Sequence, residues 1–229
     1  MPKSKQTAGS AGTREALLLA GERLIAEYGI DAVSLRQINT AAGQRNSSAA
    51  HYHFGSKEAL IRAIFDYRME RVNRSRQLKL ATIREQSDGH PEPRQLVETF
   101  VYPIVEEIRD SEGGSFYIRF LSQAISHPQT DTNKYSENLL ANAASSAFKQ
   151  LKQAVPGIPE PILGQRFGLM WEMIIHSLAD RERDSELRAQ SQHIDQDLFI
   201  SNLIDTATGA LIAPVNPTTA MEFKRYQKK

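Results

Sequence analysis

The 229-residue chain has no cysteine. A disulfide framework, thiolate-bound zinc and a cysteine nucleophile are therefore excluded, and the absence fits a reducing cytoplasm, where the protein is expected. Long apolar runs are missing too: nothing approaches the roughly 20 consecutive apolar residues of a membrane-spanning helix. The N-terminal MPKSKQTAGSAG is basic and small and lacks the apolar segment of a secretion signal. It reads as a flexible arm, residues 1–12. No stretch alternates long enough to propose a strand, and no repeat of fixed period is present. A glycine-rich phosphate loop, a Gly-x-Ser-x-Gly elbow and a His-Glu-x-x-His pair are all absent. No catalytic residue, cofactor or metal site is expected.

What is present points to helices. Hydrophobic residues make up 40% of the chain, enough for a sizeable core. The net charge is only +1, but thirteen of the 28 Lys+Arg and seven of the 27 Asp+Glu fall in residues 1–79. A basic N-terminal third on an acidic body suits an end that meets a polyanion, although solvated charge also clusters by chance. Thr13 can cap a helix with Leu17, Ala20, Leu24, Ile25 and Tyr28 on its inner face, ended by Gly29. Ser34, with Gln37 three residues on, opens a short second helix that Gly43 stops. Asn46 is the expected N-cap of a third, ending near His53. Ser56 caps a fourth reaching about residue 84, with Leu60, Ile61, Ile64 and Phe65 inside and an arginine-rich outer face. Long amphipathic segments follow at about 94–110, 115–126, 133–154, 160–184 and 194–213, separated by Gly113-Gly114, Pro128 and Pro156-Gly157. The fold class is all-α. The expected division is an arm (1–12), a helix-turn-helix unit (13–56), a larger helical domain (57–213) and a loosely held tail (214–229).

Within the first unit, AGQRNSSAAHYHFGSKEAL (42–60) places a helix trimmed to small side chains after a tight Ala-Gly turn, a helix-turn-helix arrangement. A helix that enters the major groove cannot carry bulky apolar residues on its outer face. Ser47 and Ser48 can reach base edges, Ala49 can touch a thymine methyl, and His51, Tyr52 and Lys57 can donate to phosphates. His51 and His53 can instead pack or cap. Two residues apart on a helix, they do not converge on a metal.

Residues 13–60, carried by TREALLLAGERLIAEYGIDAVSLRQINTAAG and HYHFGSKEALIRAIF, resemble the DNA-binding domain of the TetR family of transcriptional regulators. The chain is one residue longer than the common pattern between Gly43 and Phe54, with Gln44-Arg45 where a single apolar residue usually stands. His51 falls where the family often has a phosphate-binding tyrosine. The resemblance implies that Ser34 and Arg36 contact phosphates, that Arg45, Asn46, Ser47, Ser48 and Ala49 face base edges, and that His51, Tyr52 and Lys57 hold the backbone. Ile38, Ala41, Ala50 and Phe54 are read as core.

The larger domain offers more apolar surface than DNA reading needs. Leu163, Phe167, Ile174 and Leu178 in one segment, and Leu198, Leu203, Ala207 and Leu211 in another, can form a four-helix dimer interface or an intrachain core. Two recognition helices related by symmetry read a palindrome, and the resemblance implies the same homodimer on a double-stranded operator. It also implies a pocket for a small-molecule effector that releases the protein from DNA, as a repressor. Phe100, Tyr102, Phe116, Phe120, Met170 and Trp171 are candidate walls or plain core, and their character suggests an apolar effector. The alternative from another class is a helical protein-interaction module whose basic surface binds an acidic partner.

Overall fold

A computed structural model describes residues 4–46, 48–110, 116–127, 143–187 and 195–228, with side chains over 11–46, 48–110, 116–127, 145–183 and 195–228. Among the described residues there is no strand. The helices are α1 (Ser4–Tyr28), α2 (Leu35–Ala41), α3 (Ala49–Phe54), α4 (Lys57–Gln86), α5 (Pro93–Arg109), α6 (Tyr117–Ser126), α7 (Ala143–Ala154), α8 (Glu160–Leu187), α9 (Gln196–Ile212) and α10 (Pro217–Tyr226).

Local chemistry explains most of the boundaries. The Ser34 hydroxyl accepts from Gln37 N, and the Gln37 side chain accepts in turn from Ser34 N at 2.8 Å, which completes the expected capping box of α2. Ser56 caps α4 through Ala59 N at 3.1 Å. Proline opens α5 and α10, at the position where its missing N–H costs nothing. Two expected boundaries are displaced. First, α1 runs from Ser4, so Thr13 lies inside the helix instead of capping it. No proline interrupts residues 3–28, and the expected arm is continuous with α1 from Ser4 onward. Second, residues 217–226 of the expected tail are helical and capped by Asn216, although no side chain of α10 is buried.

In the tertiary arrangement, α1 packs on α2 and α4, and α3 sits against α2, α4 and α1. The N-terminal half of α4 belongs to this unit, contributing Leu60, Ile61 and Ile64. Its C-terminal half packs on α5 and α7, and α9 closes against α5 and α8. One hydrophobic cluster runs through both regions, so the two units share a core along α4.

The outer face expected of α4 is not wholly outer, because Arg68 and Arg76 are buried. Arg68 is gripped by Glu22 of α1 (Nε–Oε2 2.7 Å, Nη2–Oε1 2.7 Å) and by Glu107 of α5 (2.8 Å). Burial works against its charge, but the hydrogen bonds and charges of Glu22 and then Glu107 outweigh that, so the guanidinium is held more firmly protonated than usual. A buried cation held by two carboxylates thus ties α1, α4 and α5 together.

Most of the residues proposed for a dimer interface are covered within one protomer. Leu163, Ile174, Leu178, Leu203, Ala207 and Leu211 are buried, Phe167 is half-buried, and only Leu198 is well exposed, at 61%. The reason is the width of the stripe: α8 packs on α6 and α9 at once, and α9 on α5, so their apolar faces are used inside the chain. Among the described residues no single helix is long and apolar enough to cross a membrane.

Candidate nucleic-acid interface

The helix-turn-helix is held by one buried polar side chain. Asn39 on α2 is 2% exposed, and its Oδ1 accepts from Ala50 N at 2.8 Å, which fixes the first turn of α3. Its carbonyl accepts from Gln44 N at 3.0 Å. Gly43 turns the chain at φ +66°, a conformation that favours glycine. These contacts set where α3 begins. Asn46 does not cap the helix: its Oδ1 accepts from Ser48 N at 2.9 Å, a local turn that competes with helix, so α3 starts at Ala49. Arg45, Asn46 and Ser48 therefore stand on the connection in front of α3. Ser47 lies outside the described residues.

Arg36, Arg45, Asn46, Ser48, His51 and Tyr52 are all exposed, and Tyr52 is the most prominent at 83%. Two expectations are corrected. Ala49 is buried with Ala50, so its small side chain serves the packing of α3 against its neighbours and cannot meet a thymine methyl. Lys57 is not simply a phosphate ligand: its Nζ donates to Ile30 O at 2.9 Å and Val33 O at 3.2 Å, clasping the start of α4 to the α1–α2 connection. Ser34 is exposed, but its hydroxyl is committed to the α2 cap. His53 is half-buried between Tyr52 and Phe54, with ring centroids at 5.3 and 6.1 Å. Of the residues read as core, Ile38 and Ala50 are buried and Phe54 half-buried, whereas Ala41 is exposed.

The Lys57 clasp has a direct consequence. Lys57→Met is expected to lower the unfolding free energy by roughly 1–3 kcal/mol, because two buried-side carbonyls are deprived of a charged donor. Denaturant titration measures it, and an unchanged midpoint would mean that water replaces the ammonium without cost.

The six candidate effector-site residues differ in burial. Phe100, Phe120, Met170 and Trp171 are buried, while Tyr102 and Phe116 lie half-buried beneath Lys79 and Arg119 at 5.7 and 5.0 Å. Phe100 meets Phe167 edge-on at 5.1 Å, and Phe167 meets Phe148 in the same way at 5.1 Å. None of the six lines the open polar cleft of about 450 Å³ between α1, α6 and α8, whose walls include Glu27, Arg119, Gln123, His176, Asp180 and Arg183. Among the described residues no group of three or more His, Asp or Glu side chains is placed to hold a metal ion.

The residues that reading by pattern passed over are Asn39, Glu22, Glu107, Arg68 and Arg76. A signal existed for the two arginines. Phe65, Arg68, Val72, Arg76 and Leu80 follow one another at three- and four-residue steps, so both arginines stand in the register of the inner face. For Asn39 and the two glutamates there was none, because their partners are far away in sequence.

Comparison with known proteins matches both regions to one family. Residues 17–64 match the model of the bacterial regulatory proteins of the tetR family, and residues 98–210 match that of the tetracyclin repressor-like C-terminal domain. The fold is similar to the crystal structure of a TetR family transcription regulator from Marinobacter aquaeolei VT8, at 22% identity and a TM-score of 0.53 over 90% of this chain and 97% of that one. A putative TetR-family transcriptional regulator from Mesorhizobium loti MAFF303099 aligns at 15% identity and a TM-score of 0.44, over 89% of this chain and 96% of that one. No curated protein sequence matches. With a helix-turn-helix of matching sequence at one end and a matching helical regulatory domain at the other, the chain is a DNA-binding member of the TetR family of transcription regulators.

Proposed function

We propose that the protein is a homodimeric repressor that a small-molecule effector releases from a palindromic operator. The observation that carries this reading is the mechanical continuity between the two ends of the chain. Arg68 joins α1 to α5 through Glu22 and Glu107, α1 packs along α6, and His127 Nε2 lies 3.1 Å from Asp31 Oδ1 at the turn before α2. A shift of α6 relative to α4 would thus carry the helix-turn-helix with it. By linkage, an effector that binds the released arrangement more tightly weakens operator affinity by the same factor.

In this reading the DNA-binding unit is 13–56 together with the first turns of α4, and residues 57–213 form the regulatory domain. Arg36, His51 and Tyr52 contact phosphates, and Arg45, Asn46 and Ser48 contact base edges. Ser34 contributes by setting the start of α2. The dimer forms through what α8 and α9 leave uncovered: Gly164, Gly168 and Leu169 on one helix, and Leu198, Asn202 and Gly209 on the other, where small residues allow close approach. Symmetry then sets two α3 helices about 34–36 Å apart, or a multiple of that.

The test is selection of random duplexes by purified protein, followed by anisotropy on the winner at several salt concentrations. A palindrome is expected, with steep salt dependence. Arg36→Ala should weaken all sequences alike and lower the salt slope by about one per protomer, for the phosphate that Arg36 would no longer neutralise. Ser48→Ala should instead erode the preference for the winner over random duplex. Enrichment of no sequence by effector-free protein would refute the reading.

A further inference from the structure

Arg76 is the one buried arginine in the regulatory half that the architecture leaves unbalanced among the described residues. It is 0% exposed. Its Nε donates to Thr99 O at 3.0 Å, its Nη1 to Asn73 Oδ1, and its Cζ lies 5.4 Å from the centre of the Phe100 ring. All three partners are neutral. Nη2 is buried with no hydrogen-bond partner, and no described carboxylate pairs with the side chain. Arg68, two turns earlier on the same helix and equally enclosed, has two carboxylates. Burial, opposed only by the Tyr117 hydroxyl, lowers the pKa of Arg76 to about 10, which still leaves a cation at neutral pH. An uncompensated buried charge is among the most unfavourable features a core can carry, and persists where a function requires it.

The surroundings indicate what would balance it. Arg76 begins a contiguous aromatic series, Phe100, Phe167 and Phe148, that links α4 to α5, α8 and α7. On α8, Trp171 Nε1, one turn beyond Phe167 and so on the same side of the helix, is also buried without a partner. A charged donor and a neutral donor thus stand unpaired along one series of apolar rings. Tyr117, fully buried near Arg76 with its hydroxyl donating to Met69 Sδ at 3.0 Å, opens α6, the helix that packs on α1 of the DNA-binding unit.

We propose that Arg76 is the anchor of the effector site and that the effector is a monocarboxylate with an apolar or aromatic body. A single cation neutralises one negative charge, so a carboxylate leaves the interior neutral, whereas a phosphate carries excess charge into it. The apolar body lies along the aromatic series, with any polar substituent free to meet Trp171. This rests on the ligand-release reading above and refines the chemistry expected there: not merely an apolar effector but an acid.

The test compares 3-phenylpropionate and decanoate with their methyl esters, and with inorganic phosphate, by thermal melting and calorimetry on the full-length protein. The acids are expected to bind roughly tenfold or more tightly than their esters, as a charge-assisted hydrogen bond to a buried cation requires. Arg76→Met should remove that preference and, without ligand, melt at or above the wild type, since it deletes an unpaired charge. Arg76→Lys should keep part of the preference, and preserves the comparison if the methionine variant does not fold. Equal binding of acid and ester, phosphate binding as well as the acids, or an acid preference that survives Arg76→Met would overturn the proposal. Operator anisotropy separates it from the reading it rests on. An acid that binds through Arg76 without changing operator affinity keeps the site and defeats ligand release. Release by the esters alone does the opposite.

Discussion

Arg68→Ala is expected to destabilise the protein by about 3–5 kcal/mol in denaturant unfolding. The cost comes from what is left behind. Glu22 and Glu107 are both buried, on different helices; Glu22 loses the guanidinium that it grips through two bonds, and Glu107 loses its 2.8 Å bond and keeps Arg71 at 3.7 Å. Against a total stability of roughly 5–15 kcal/mol for a domain, such a penalty leaves little margin. Combining Arg68→Met with Glu22→Gln and Glu107→Gln should recover much of it, because no charge then remains unpaired. A change below about 1 kcal/mol for Arg68→Ala would mean that the three groups are solvated and the triad is not a structural joint. The same set separates stability from communication. If the triad transmits motion from α5 to α1, the uncharged triple variant should fold and bind operator while its response to effector falls.

Asn39→Ala is the second. It removes the acceptor of the Ala50 N–H in a closed environment, at a cost of about 1–3 kcal/mol in stability. The larger effect is expected on DNA. That bond fixes the first turn of α3, so loosening it lowers the fraction of protomers whose recognition surface is in place, and apparent affinity falls in proportion. With two copies in the proposed dimer the penalty counts twice. Operator affinity is expected to fall on the order of 10²-fold, with a smaller fall for random duplex, which asks less of α3. Asn39→Asp keeps an acceptor oxygen and should be milder. Anisotropy on operator and random duplex reads the difference; an equal fall on both would mean that Asn39 acts only through folding.

These two residues also show where reading the sequence reaches its limit. The all-helical architecture, the helix caps, the helix-turn-helix and its family were legible because each depends on residues a few positions apart: Ser34 with Gln37, Ser56 with Ala59, and the run HYHFGSKEAL. The candidate interface was legible as a stretch, but not residue by residue. Ala49 and Ser48 are neighbours of similar size, and only the packing of α3 turns the first inward and leaves the second exposed. Lys57 had the composition of a phosphate ligand, but its ammonium reaches carbonyls 24 and 27 residues away. The dimer stripe failed for a related reason. Helical periodicity shows that a face is apolar, and cannot say whether the same chain or a second copy covers it.

The sequence by itself determined the helices, the order of the two units, the basic DNA-facing end and the family, since propensity, capping and local spacing are properties of short stretches. Only the tertiary structure decided which charges became interior. Arg68 and Arg76 occupy equivalent places in the periodicity of α4, two turns apart, and nothing local distinguishes them. Glu22 and Glu107 converge on one and no described carboxylate on the other, so one became a joint between the units and the other a buried cation without a counter-ion. That difference arises from partners 39 and 46 residues distant, because a buried charge is settled by whatever the fold brings beside it.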